Sequence, residues 1–170
     1  MQAMSRYPLL VAGVSGSGKS TLARLWAQRC AAPFIEGDSF HAPSSIAKMR
    51  DGIPLEDEDR AAWLDRLVVQ MQRHAGTPAP VLACSALKRS YRERLRAGIP
   101  GLRVALIELS PALAGQRVGQ RTDHYMPVAL VASQFATLEI PVDEPLTLRL
   151  DGSLPLEALL SSLGQWLAAA

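Results

Sequence analysis

Eight residues, GVSGSGKS at positions 13–20, set three glycines, a lysine and a hydroxyl at a spacing that handles phosphate. Gly13, Gly16 and Gly18 let the backbone curl, so that the N–H groups of Val14, Ser15, Gly16, Ser17 and Gly18 face one anion. Lys19 reaches toward the β and γ phosphates of ATP. Ser20, followed by Thr21, offers its hydroxyl to Mg²⁺. The pattern G-x-x-x-x-G-K-[ST] is matched in full, after an apolar run and before a helix-period run, which is the context it requires.

A second stretch, EGDSFH at 36–41, supplies an acid and an imidazole about twenty residues later. In a sheet of the kind the first loop implies, Asp38 lies across the crevice from the phosphates. There it either orients an acceptor hydroxyl and takes its proton, or holds magnesium through water. Switch GTPases and motor ATPases usually carry their magnesium acid at the end of the third strand, but that strand ends here in ACSALK. No guanine-reading N-K-x-D segment occurs. A third feature, Arg117-x-x-x-Arg121, points two guanidiniums from one helical face and suits a lid that closes over a transferring phosphoryl group.

These groups must be positioned by alternating strands and helices. Residues 7–13, 33–37, 80–86, 103–109 and 146–150 read as five buried strands. Between them, 22–30, 57–74 and 91–98 have helical period, and Gly98 ends the last of these. In the longest, Trp63, Leu64, Leu67, Val68 and Met71 form one apolar face. A final helix places Leu156, Leu159, Leu160, Leu163 and Leu167 together. The expected fold class is α/β: one domain, a five-stranded parallel sheet with helices on both faces, and a mobile lid insert at about 117–127. The acids from Glu56 to Asp59 are explained by a helix N-terminus, and His74 by the same helix's C-terminus.

Composition narrows the function classes. With 170 residues, 48% hydrophobic and a net charge of +2, the chain has neither a membrane span nor the basic excess of a nucleic-acid binder. Cys30 and Cys84 lack metal spacing and read as packed thiols. A cytoplasmic protein is expected.

Four separated blocks resemble the gluconate kinase (gluconokinase) family, small P-loop enzymes related to shikimate and nucleotide monophosphate kinases. They are GVSGSGKST, GDSFHAPSSIAKMRDGIPLEDEDRAAWL, ACSALKRSYRERLR and HYMPVALVASQFATLEIP, and the likeness runs essentially end to end. Ser45, Ala62 and Tyr125 depart from residues common in that family, which touches fine specificity. The resemblance implies the three-layer P-loop kinase fold, ATP-dependent phosphorylation of D-gluconate at its terminal hydroxyl, and a homodimer. It makes Lys19, Asp38, Arg117 and Arg121 the catalytic set. His41 is then a substrate contact, and Arg60 or Lys48 grips the substrate carboxylate. Ser85 holds a magnesium-bound water or a substrate hydroxyl, and Arg92 and His124 also face the acceptor. Two alternatives stay open: a shikimate-type or other small-metabolite kinase, and a nucleotide-dependent regulatory module without transfer.

Overall fold

The computed structural model describes residues 5–120 and 129–170. Five strands, β1 (Leu9–Ala12), β2 (Phe34–Glu36), β3 (Val81–Ala83), β4 (Arg103–Glu108) and β5 (Thr147–Asp151), form one parallel sheet in the order β2-β3-β1-β4-β5. The chain first runs from β1 out to β2, returns to β3, then crosses over β1 to β4. The crevice at the carboxyl end of β1 is the switch point where such sheets bind ligands.

Strand alternation sorts the core into two layers. Leu10 and Ala12 of β1 join one cluster with Trp63, Leu64, Leu67 and Leu95. Leu9 and Val11 join the other with Leu22, Trp26, Leu160 and Leu163. The helices covering these faces are α3 (Asp57–Arg73) and α4 (Arg89–Gly98) on the first, α1 (Lys19–Arg29) and α7 (Leu156–Ala168) on the second. β1 is wholly buried, as a central parallel strand should be.

Differences from the sequence expectations lie at boundaries and in the polar regions. Residues 43–50, to which the sequence assigned no element, form helix α2 (Pro43–Arg50), with proline at its first turn where no amide is missed. Two further helices, α5 (Pro111–Gly119) and α6 (Ala129–Thr137), were not distinguished in the sequence. α5 ends at Gly119, while Arg121, His124 and most of the expected lid lie outside the described residues. Gly98 ends α4, as expected, and also serves packing. A Cβ there would sit 2.5 Å from Val68 Cγ1, so the glycine permits α3 and α4 to approach.

Candidate active site

The phosphate loop joins β1 to α1. Its glycines are demanded by geometry: Gly16 (φ +84°) would press a Cβ to within 2.9 Å of the Ala114 carbonyl. Gly18 (φ +87°) turns the chain into the helix in a left-handed conformation that other residues resist. Ser15 Oγ and Ser17 Oγ are buried with no protein hydrogen-bond partner. Buried hydroxyls of this kind, beside a helix N-terminus and the buried Lys19, fit a polyphosphate. Arg117 of α5 reaches the loop from outside, its guanidinium donating to the Gly16 carbonyl at 3.3 Å and the Gly152 carbonyl at 3.1 Å.

Asp38 sits in a short 3₁₀ turn, Gly37–Phe40, directly after β2. Gly37 lets that turn press on β3, where any Cβ would lie 2.5 Å from the Ala83 carbonyl. Helix α3 then grips the turn at both ends. Trp63 Nε1 donates to the Gly37 carbonyl at 2.8 Å, and Arg66 Nε donates to the Phe40 carbonyl at 2.8 Å. His41 stacks on the Trp63 ring, with centroids 4.2 Å apart, and its Nε2 lies 3.8 Å from Asp38 Oδ1. Burial pushes the imidazole down to about 4, against the pull of Asp38 and with help from Arg60 and Arg66. His41 is therefore neutral near pH 7, able to donate from one nitrogen and accept at the other.

One cleft is lined by Ser15 and Lys19 from the loop, Asp38 and His41 from the turn, Arg60 from α3 and Ser85 from the end of β3. The structure thus brings together six of the residues singled out in the sequence. Arg60 is held by its Nε donating to the Leu55 carbonyl at 3.4 Å and by packing over the Tyr91 ring at 5.6 Å. The neighbouring acids are engaged elsewhere. Asp57 accepts from the Tyr91 hydroxyl at 2.5 Å and from Lys88, while Asp59 completes a capping box with Glu56. Asp59 also takes Lys48 at 2.8 Å, so that lysine is paired rather than turned into the cleft.

Arg92 lies elsewhere than the sequence suggested. It does not face the acceptor: its side chain is fully buried and every guanidinium hydrogen is used within the protein. It donates to the carbonyls of Ala86, Leu87 and Glu139 and bidentately to Glu144, the shortest contact being 2.5 Å. Arg96 also reaches Glu144 at 3.0 Å. Burial works against the Glu144 charge, but the two arginines outweigh it and hold the carboxyl below its usual range. Arg92 fastens α4 to the segment before β5. The Cys84 thiol, in the core beneath the cleft, is pushed up to about 12 by burial, which leaves it inert.

Several cleft residues were missed. Met49, Leu55 and Leu130 give it an apolar wall, and Ser133 and Gln134 of α6 a polar one. An uncharged glutamine on a helix carries no chemical signature of its own; only its place in the block SQF pointed to it.

Residues 9–141 match the AAA domain family. The chain is 42% identical over 159 residues to a gluconokinase of Gluconobacter oxydans, covering 91% of this chain and 88% of that protein. It superposes on the crystal structure of a gluconokinase from Sinorhizobium meliloti with a TM-score of 0.85 at 41% identity, covering 97% and 93% of the two chains. Shikimate kinase from Bacteroides thetaiotaomicron shares the fold at 13% identity and a TM-score of 0.60, over 98% of this chain and 99% of the other. On its fold, its cleft and these relatives, the chain belongs to the gluconokinase family of P-loop small-molecule kinases.

Proposed function

We propose that this chain transfers the γ-phosphoryl group of ATP to the terminal hydroxyl of D-gluconate, giving 6-phospho-D-gluconate and ADP. The observation that carries this reading is the shared cleft, where Lys19 and Ser15 of the phosphate loop face Asp38, His41 and Arg60. The gluconate oxygen attacks phosphorus as the bond to ADP breaks, and Asp38 takes the hydroxyl proton. Lys19 neutralises charge on the phosphates, and Arg117 serves the nucleotide side, where it already touches Gly16. Arg121 and His124, which lie outside the described residues, would serve the transferred phosphoryl group and the acceptor.

His41, neutral and buried, suits the hydroxyls of an open-chain polyol. Arg60 rather than Lys48 takes the carboxylate, because Arg60 lines the cleft and Lys48 is paired with Asp59. Among the described residues no group of three or more His, Cys, Asp or Glu forms a metal cluster. Magnesium beside a nucleotide takes mostly water and phosphate as ligands. The Ser20 hydroxyl, with Asp38 through water, would hold it, and it would neutralise phosphate charge. A cytoplasmic homodimer completes the reading; no described helix is long and apolar enough to cross a membrane.

The test is ADP release by the purified protein with Mg²⁺ and ATP, over D-gluconate, other aldonates, shikimate and nucleoside monophosphates. Turnover is expected with gluconate above all others. Its absence there, with turnover on shikimate or a nucleotide, would replace the proposed substrate.

A further inference from the structure

Each residue of the phosphate loop has one backbone N–H to offer an anion, and that of Ser15 is already engaged. It donates to Gln134 Oε1 at 2.6 Å, across 119 residues of sequence. The loop does not need this bond to keep its shape, because Ser17 N–H closes the turn on Val14 at 3.1 Å and Gly13 N–H is held by Ser85 at 3.3 Å. Ser15 and Gln134 both line the cleft shared with Asp38, so their contact lies in the space where donor and acceptor would meet.

Gln134 makes this contact from a fixed base. Leu130, one turn earlier on α6, packs with Met49 and Leu55 on the acceptor side. Val131 packs with Val14 and Val118 on the donor side. Just past α6, Glu139 N–H donates to Leu87 at 2.9 Å, and the Glu139 carboxylate accepts from Arg89 N–H at 2.7 Å. The helix thus touches both halves of the cleft, and its one amide side chain there sits on the loop.

We propose that Gln134 is a positioning residue that exchanges partners during the reaction. Its carbonyl holds the Ser15 N–H until the transferring phosphoryl group claims that donor, and the released amide then hydrogen-bonds the acceptor. A single N–H cannot serve both acceptors well, and a charged phosphoryl oxygen is the stronger of the two. The freed amide has two donors and an acceptor, which suits a chain of hydroxyls. Donor and acceptor binding are thereby coupled, and the coupling runs equally in both directions. This proposal deepens the functional reading above and rests on its assignment of the cleft.

The experiment titrates Mg²⁺ and AMP-PNP into the purified chain and its Gln134→Met variant by calorimetry, without acceptor, and then measures KM and kcat with D-gluconate. Methionine keeps the length and removes the competing carbonyl, so AMP-PNP is expected to bind about threefold to tenfold tighter. The gluconate KM should rise by a similar factor while kcat changes less. Gln134→Glu, which still accepts from Ser15 but repels phosphate, should bind AMP-PNP about tenfold more weakly, and it serves if the methionine variant fails to fold. AMP-PNP affinity that is unchanged or weaker in Gln134→Met, or unchanged in Gln134→Glu, overturns the exchange. Tighter AMP-PNP binding without gluconate turnover would uphold the exchange and overturn the gluconate reading instead.

Discussion

The phosphate loop and the wall that faces it share one cleft but are built in opposite ways. The donor side is eight consecutive residues, 13–20, whose positive-φ glycines shape their own backbone before any partner arrives. The acceptor side gathers Asp38, Arg60, Ser85 and Gln134 from four distant stretches. Asp38 depends on Trp63 and Arg66 to hold its turn, and Arg60 on Leu55 and Tyr91. A loop that shapes itself can be kept through many changes of acceptor, whereas a convergent wall changes specificity with any of its supports.

Substitutions on the two sides should therefore fail differently, and the largest failure is expected on the donor side. Lys19→Ala should lose turnover by on the order of a thousandfold and weaken nucleotide binding with it, as read by steady-state rates and calorimetry. The next largest effect belongs to Arg92, which sits beneath the wall. Arg92→Leu leaves Glu144 buried against Arg96 alone, at a cost of about 3–5 kcal/mol. Thermal melting should show a fall of roughly 10 °C, with the gluconate KM of the remaining folded protein unchanged. A raised KM with an unshifted Tm would restore Arg92 to the substrate.

Arg60→Met reverses that signature. The gluconate KM should rise about tenfold to a hundredfold with little change in Tm, since a charge-assisted pair to the carboxylate is lost. A KM equal to wild type would move the carboxylate to another cation, Lys48 first. The smallest effect is a pH dependence. The His41 pKa, about 4 in the folded chain, lies below its ordinary 6.5, so the unfolded chain binds the proton first as pH falls. Stability from the neutral ring is whole above pH 6.5 and is lost as pH drops toward 4. Melting curves across that window should be steeper for wild type than for His41→Asn, and equal slopes would contradict the burial argument.

The same contrast explains what the sequence made legible. The loop needed only local geometry, so its motif located the turn between β1 and α1, although the Ser15 and Ser17 N–H groups are bonded within the protein. The strands followed from short buried runs. Asp38 was legible because an acid just past the second strand has one place to go in such a sheet. Arg92 was misread because it follows a strand end within a basic run, and only the packed fold shows Glu144 arriving from residues before β5 to consume it. Helix α2 was missed because its short segment carries two serines and few apolar side chains. Gln134 was passed over because its meaning lies in a contact with Ser15, far away in sequence.

The two halves meet at Asp38 in the proposed reaction, and Asp38→Ala tests that most directly when kcat and AMP-PNP affinity are measured on the same preparation. The expected result is a fall in kcat of about 10² to 10⁴ with nucleotide affinity kept far better than in Lys19→Ala. Wild-type kcat would contradict it, as would a loss of nucleotide affinity matching that of Lys19→Ala.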